Sequence, residues 1–497
     1  MLSLRTCLVV TALVAAAVSA RADPDLTLAP CTLSGSLGVA NIQARCGWLE
    51  RPENPDEPDS RPIRLRIAVI DALSPEAPAD ALTIINGGPG ASSIDLYGDL
   101  SGAFEKIHRE RDIVVVDQRG TGASNPLNCP QLEDLSLDEE TAPVEQATRA
   151  CLAGLDGDPR FYTTSVAVRD LEAVRMALGY QQLDVYGVSY GTRVAQHYAR
   201  RYPDAVRTLI IDGVVPPDVP LGPNAALNAQ RVLDRLFDRC AQDDVCAARF
   251  PALPAELAAL TDQLRSAPVP LEIAHPVTGR RTPVDLGYPH LVMTLRLLSY
   301  APETASLLPL IIDEARTSAN YVPLAANALR IEQELKGAIR FGMHNAVVCT
   351  EDLPFVRDVD MTALEATYMG ASQFESLRTI CAIWPKGLMD ADLRTPLTGD
   401  VPTLVLSGEE DPITPPAYGE RVAASLERSR ALVAPGQGHG VVGRGCLPLV
   451  VADFVDTADP DRLDTGCIER LGHEPFFVNL MGPVARPAQT DPAADTP

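Results

Sequence analysis

Lysine is nearly missing: Lys106, Lys336 and Lys386 are the only three in 497 residues. The cationic side chains are almost all arginine, and no stretch gathers them into a block. The formal net charge of −24 is spread along the chain. Without a basic patch, neither nucleic acid nor an anionic membrane surface is expected as a partner. The chain also lacks any C-x-x-C pair or Cys/His cluster, which removes the usual zinc patterns. Beyond the N-terminus, no run approaches the ~18 consecutive apolar residues of a membrane span. No repeat is evident, and nothing indicates a metal, nucleotide or flavin, so no cofactor is expected.

What is present suits a sizeable core. The chain is 46% hydrophobic and 22% charged, near globular averages. Its start reads MLSLRTCLVVTALVAAAVSARADPD. Arg5 gives a positive region, Leu8 to Val18 an apolar one, and Ala20-Arg21-Ala22 a small-x-small cleavage pattern. Residues 1–22 are therefore expected to be a secretory signal peptide, with the mature chain exported to the periplasm or the medium and free of the membrane after cleavage. Of 11 cysteines, Cys7 would leave with the signal. Ten remain in sequence-near couples: Cys31 and Cys46, Cys129 and Cys151, Cys240 and Cys246, Cys349 and Cys381, Cys446 and Cys467. An even set in an exported chain points to disulfides. Nearest-neighbour pairing is the simplest arrangement, although spacing does not fix connectivity.

Residues 23 to about 60 are rich in Pro and Asp and read as irregular around Cys31 and Cys46. Strand patterns follow at Ile63–Ile70, Ala81–Asn86 and Asp112–Asp117. SVAVRDLEAVRMALG reads as a helix, with Ser165 as N-cap and Gly179 beyond its end. LDVYG is then a strand, SYGTRVAQHYARRYP a helix and RTLIIDG a strand. Apolar strands alternating with helices predict a mostly parallel α/β sheet covered on both faces. From 216 to 400 the chain reads as helix after helix. Strand patterns resume at PTLVLSG, Pro402 to Gly408, and continue with RALVAP. The expected organisation is an α/β core from 23–215 and 401–481, a helical cap inserted at 216–400, and a disordered Pro/Ala/Asp-rich tail at 482–497.

Gly187-Val188-Ser189-Tyr190-Gly191 matches G-x-S-x-G at a strand-to-helix junction. A nucleophile on so sharp a turn needs small neighbours on both sides, and the helix N-terminus behind it favours developing negative charge. A serine hydroxyl needs a base, and the base needs an orienting carboxylate. Of the seven histidines, His439 and His473 follow the resumed sheet. His439 lies in the glycine-rich loop APGQGHGV after a strand and is the candidate base. LVLSGEEDPITPP offers Glu409, Glu410 and Asp411 as the acid; Asp411, before Pro412 and the turn, is preferred. NGGPGAS, Asn86 to Ser92, ends another strand. There Gly88 is the expected oxyanion donor beside the N–H of Tyr190, since Pro89 has none. An ordinary turn competes with that reading of the loop. DQRGTGAS, Asp117 to Ser124, reads as scaffold for it and lacks the Lys-Ser/Thr ending of a phosphate loop.

GGPGAS, DQRGTGAS, GVSYGT, GEEDPITP and GQGHG, in this order, resemble the prolyl and tripeptidyl aminopeptidase family of α/β-hydrolase serine peptidases. The likeness is closest to its secreted tripeptidyl-aminopeptidase-like branch. It runs from about Cys46 to Cys467 and is weak within the cap. The resemblance implies an α/β-hydrolase fold with an inserted helical cap, Ser189 as nucleophile, Asp411 as acid, His439 as base, and Gly88 and Tyr190 as the oxyanion hole. Prolyl members usually carry H-G-G-P-G and a tryptophan after the serine; Asn86 and Tyr190 stand there instead, which argues against strict proline specificity.

The resemblance implies a peptide substrate, and an exopeptidase must hold its free ammonium group. In NAVVCTEDLP, Glu351 and Asp352 beside Cys349 are candidates for that role; a solvated acidic turn is the competing reading. Two other functions fit the same sequence. An esterase would use the same triad, and a non-catalytic binding module could share the fold.

Overall fold

The computed structural model describes residues 26–35, 38, 41–133 and 141–484. The expected signal peptide at 1–22, and all but three residues of the expected tail at 482–497, lie outside them. The first two strands fall where the sequence reads as irregular. β1 (Ala29–Leu33) and β2 (Ile42–Pro52) pair antiparallel, and Cys31 is bonded to Cys46 across them. The signal was there in part: along β2, Gln43 and Arg45 are exposed while Ile42, Ala44 and Cys46 face inward, the period of a half-buried strand. Proline density hid it.

β3 (Pro62–Ile70) adds to β2, and β4 (Asp80–Ile85), β5 (Asp112–Val116), β6 (Gln182–Val188) and β7 (Val206–Asp212) follow. After a long excursion, β10 (Thr403–Gly408) and β11 (Ser429–Ala434) complete the sheet. The order of its nine strands is β1-β2-β3-β5-β4-β6-β7-β10-β11. From β5 to β11 every pairing is parallel, while β1, β2 and β3 join antiparallel at the other edge. β4, β6, β7 and β10 are buried almost throughout, which explains their unbroken apolar runs.

Helices cover both faces. α1 (Thr164–Leu178) and α2 (Tyr190–Arg201) pack on one, where Val168, Val174, Val194 and Tyr198 meet Val185 and Leu209 of the sheet. Phe104, Val450 and Phe454 pack on the other, against Tyr186, Ile210 and Leu404. Each such fully buried side chain contributes ~1.5–3 kcal/mol relative to exposure. α1 ends at Gly179, whose φ of +83° suits a left-handed cap. Its N-cap is Thr163, not Ser165, which lies inside the first turn. The reason is tertiary: the N–H of Thr164 is satisfied by the Glu351 carboxylate, from a segment 187 residues away.

Between β7 and β10 the chain builds a second core around α3 (Asn224–Gln242) and α4 (Tyr288–Leu298). It is not helical throughout. β8 (Val269–Ala274) and β9 (Arg281–Leu286) form a separate antiparallel hairpin turning through Gly279, at φ +69°. Phe476 and Val478, near the C-terminal end of the described chain, also pack into this second core. Residues 341–347 form a short helix whose Met343, Ala346 and Val347 join the sheet core instead. It starts beside the loop after β4, where the Arg340 N–H donates to the Gly90 carbonyl at 3.0 Å. Five disulfides join the ten cysteines, Cys31–Cys46, Cys129–Cys151, Cys240–Cys246, Cys349–Cys381 and Cys446–Cys467. Among the described residues no helix is long and apolar enough to cross a membrane.

Candidate active site

The carboxyl ends of parallel strands are where open α/β sheets place their ligands. Here Asn86 follows β4, Ser189 follows β6, Asp411 comes three residues after β10, and His439 lies in the loop after β11. Ser189 sits at φ 56°, ψ −128°, outside the ordinary L-residue regions. The flanking glycines make that corner possible. A Cβ on Gly187 would stand 2.4 Å from the carbonyl oxygen of Gly191, and one on Gly191 would stand 2.3 Å from that of Ile85. Gly87 is packed as closely: a Cβ there would meet the Ser189 Cβ at 2.6 Å. The Ser189 N–H donates to the Asp212 carbonyl at 2.9 Å, tying the corner to the neighbouring strand.

His439 Nδ1 lies 2.7 Å from Asp411 Oδ2. Asp411 is wholly buried. Its Oδ1 accepts the N–H groups of Ile413 and Thr414, each at 2.8 Å, and its Oδ2 accepts the Thr414 hydroxyl at 2.8 Å. With Nδ1–H committed to the carboxylate, the other ring nitrogen, Nε2, is left with its lone pair free. Burial pushes the imidazole pKa down, but the charge and hydrogen bond of Asp411 and the charge of Asp212 outweigh it, and the net shift is upward. The Tyr300 carbonyl accepts the His439 N–H at 2.8 Å, and its ring meets the imidazole edge-on with centroids 5.2 Å apart.

The loop after β4 is held open by its own side chains. Gly87 N–H donates to Asn86 Oδ1 at 2.6 Å, and Asn86 Nδ2 donates to the Ser92 carbonyl at 2.7 Å. Gly88, at φ +108°, has no hydrogen-bond acceptor for its N–H among the described residues. Tyr190 is the first residue of α2, and a helix leaves its first N–H groups free. Asp117 braces the loop from below, accepting from the Ser92 hydroxyl at 2.7 Å and the Ile94 N–H at 3.2 Å. His344 packs against it, with Nδ1 3.3 Å from the Pro89 carbonyl; burial lowers its pKa.

Glu351 and Asp352 lie against α1 and α2, both fully enclosed. Glu351 accepts the N–H and the hydroxyl of Thr164, each at 2.7 Å. The Thr164 hydroxyl is also 2.7 Å from the Tyr190 hydroxyl. Asp352 Oδ1 accepts from Arg193 Nη2 and from the Leu221 N–H, each at 2.8 Å. Asp352 Oδ2 has no hydrogen-bond partner, nor do Nε and Nη1 of the buried Arg193 or Nδ2 of Asn345. The solvated acidic turn is therefore excluded: these carboxylates are interior. Burial is the main cause that drives Glu351 up to about 7, with Asp352 adding to it against Arg193 and Thr164.

The other acids and histidines of the sequence reading fall elsewhere. Glu409 and Glu410 both pair with Arg235, at 3.0 and 2.9 Å, and His473 Nε2 lies 3.1 Å from Glu410. His275 accepts within its own turn, and His290 accepts the Gly287 N–H at the start of α4. Three neighbours of the site escaped the sequence reading. Thr414 carried a signal, a hydroxyl three residues past the acid. Asp212 carried a fainter one, an Asp-Gly at the end of an apolar strand. Tyr300 had none, because only tertiary packing brings its turn onto the His439 loop.

Residues 80–443 match the model of the alpha/beta hydrolase fold family. Serine protease Hip1 of Mycobacterium tuberculosis is 27% identical over 463 residues, spanning 86% of this chain and 88% of that one. Tripeptidyl aminopeptidase of Streptomyces lividans is 28% identical over 191 residues, 35% of this chain and 36% of that one. Carboxylesterase B of Mycobacterium tuberculosis is 26% identical over 422 residues, 77% and 78% of the two chains. With the matched model covering most of its length, this chain belongs to the alpha/beta hydrolase fold family.

Proposed function

We propose that the protein is an exported serine exopeptidase that removes single residues or short peptides from the free N-terminus of peptide substrates. The observation that carries the hydrolytic reading is the Asp411–His439 couple, set at the same end of the sheet as the strained Ser189 corner. Ser189 Oγ attacks the scissile carbonyl while His439 Nε2 takes its proton. Asp411 holds the imidazole in the required tautomer. The oxyanion that forms is received by the N–H groups of Gly88 and Tyr190. His439 then gives the proton to the departing amine as the C–N bond breaks. Water, activated by the same histidine, cleaves the acyl-enzyme and restores Ser189.

The peptidase reading rests on the likeness to serine protease Hip1 over 86% of the chain and to a tripeptidyl aminopeptidase over part of it. For the amine anchor, the free acceptor belongs to Asp352, whose Oδ2 is unpaired, whereas both oxygens of Glu351 are engaged by Thr164. In this reading Asp352, enclosed in the structure, takes the ammonium once substrate entry exposes it, and Glu351 holds the wall behind it. The segment 216–400 serves as a cap that limits which substrates reach Ser189. The signal pattern at 1–22 and the five disulfides support export.

An esterase is the second reading, favoured by the likeness to carboxylesterase B. A matched pair of peptide amides, one with a free amine and one N-acetylated, separates the two. The exopeptidase cleaves the free-amine form preferentially, and Asp352→Asn weakens that preference. Equal cleavage of both forms would favour the esterase.

A further inference from the structure

Asp212 ends β7 with its side chain wholly buried. Its carboxylate accepts the Val441 N–H on Oδ1 at 3.0 Å and on Oδ2 at 2.8 Å. Oδ2 also accepts the Val442 N–H at 2.8 Å and the Tyr186 hydroxyl at 3.0 Å. Its main-chain carbonyl accepts the Ser189 N–H at 2.9 Å. One residue is thus bonded through its backbone to the serine corner. Through its side chain it holds the loop that begins two residues past His439.

Among the described residues every hydrogen-bond partner of that carboxylate donates to it. A protonated carboxyl would need an acceptor for its own hydrogen, and this arrangement suits the ionised form. Burying a carboxylate is costly unless it is paired. Among the described residues no arginine or lysine makes an ion pair with Asp212. Two backbone N–H groups hold the loop and the Tyr186 hydroxyl adds a third donor, but a neutral asparagine or a serine could hold a loop too. Burial raises the pKa of this carboxyl, and the Val441, Val442 and Tyr186 hydrogen bonds and the charge of His439 act against that rise. It is the geometry of donors alone that favours the charge, and His439 gives that charge a second use, since Asp212 in turn favours the charged imidazole.

We propose that Asp212 is a positioning residue for the Ser189–His439 couple, fixing nucleophile and base relative to one another and, with Asp411, favouring the imidazolium that forms during proton transfer. This rests on Ser189 and His439 being nucleophile and base. The other groups facing His439 are the Asp411 carboxylate, the Thr414 hydroxyl, the Tyr300 phenol and the Arg296 guanidinium of α4, whose charge acts in the opposite sense. The titratable groups facing Asp212 are Tyr186 and His439.

The test is the rate at which a fluorophosphonate probe labels Ser189, followed against pH by intact-protein mass spectrometry. It compares the native protein with Asp212→Asn, Asp212→Glu and Asp184→Asn. Asp184 is another buried carboxylate of the sheet, bound to Arg207 and Thr208. Asp212→Asn should slow labelling by on the order of ten- to a hundredfold and move the acidic limb of the profile to lower pH. Asp212→Glu should slow labelling and keep the limb near its native place, because the charge stays while the hydrogen bonds are lost. Asp184→Asn should lower Tm and change neither rate nor limb. A folded Asp212→Asn with native rate overturns the proposal, and a slowed one with an unmoved limb overturns its electrostatic half. If Asp212→Asn does not fold, Asp212→Glu decides, and a native rate in that variant overturns the proposal. A native protein that takes no label at Ser189 removes the premise itself, an outcome distinct from any failure at Asp212.

Discussion

The Glu351 carboxylate accepts both the backbone N–H and the hydroxyl of Thr164, each at 2.7 Å, and so caps the helix that starts there. A negative charge at a helix N-terminus is favourable, yet full burial pushes this carboxyl up to about 7 from its ordinary 4.5. Between those values the folded protein holds a proton that the unfolded chain has released. The stability contribution is therefore complete below about pH 4.5 and is lost as pH rises through 7, at up to about 1.4 kcal/mol per pH unit. Glu351→Gln should remove that slope. Chemical denaturation of both proteins between pH 5 and pH 8 measures it, and an unchanged slope would assign the proton elsewhere.

Ser189→Ala should lower kcat by several orders of magnitude with little effect on KM, since the hydroxyl acts in the transition state rather than in binding. Stopped and continuous assays on one peptide amide suffice. Near-native turnover would move the nucleophile to another residue.

Removing the Thr414 hydroxyl with Thr414→Val keeps the side-chain shape but takes one donor from Asp411 Oδ2. The buried carboxylate then lacks a partner and its hold on His439 loosens. A fall in kcat of about ten- to a hundredfold is expected, smaller than the ~10³–10⁴ expected of Asp411→Asn. Equal losses in the two variants would contradict this ranking.

Gly191→Ala tests the corner itself. Its new methyl would stand 2.3 Å from the Ile85 carbonyl oxygen, which is backbone and has little freedom to move. A loss of about 1–3 kcal/mol or more is expected, read as a lower Tm, together with lost activity. Full stability would mean that the β4 and β6 ends can separate.

For the base, kcat/KM should rise with pH through an apparent pKa above the ordinary histidine value. The order of causes matters: burial lowers the imidazole pKa, and Asp411 and Asp212 raise it further than burial lowers it. The neutral form is the active one, so activity is lost as pH falls through the raised value. A limb below the ordinary histidine range would show that burial dominates.

The features most legible in the sequence were those encoded within a few residues. The strand–corner–helix around Ser189 could be read because its glycines, its apolar strand and its helix are contiguous. The sheet could be read from unbroken apolar runs such as ALTII and TLVLSG, which full burial on both faces demands. What stayed hidden depends on distant partners. Thr163 rather than Ser165 caps α1 because Glu351 arrives from another segment. β1 and β2 were obscured by proline, and the β8–β9 hairpin by its short strands within a helical stretch. The sequence left Glu351 and Asp352 open between an amine anchor and a solvated turn, and their burial was hidden because the cation and amide that receive Asp352 are far away in the chain.

Ser189 is proposed to cleave peptides from a free N-terminus. Mass spectrometry of the products from one peptide and its N-acetylated twin, incubated with the native protein and with Ser189→Ala, tests it most directly. Short N-terminal fragments are expected from the free-amine peptide with the native protein alone, and little cleavage of the twin. Internal cuts at equal rates in both peptides, or products from Ser189→Ala, would contradict it.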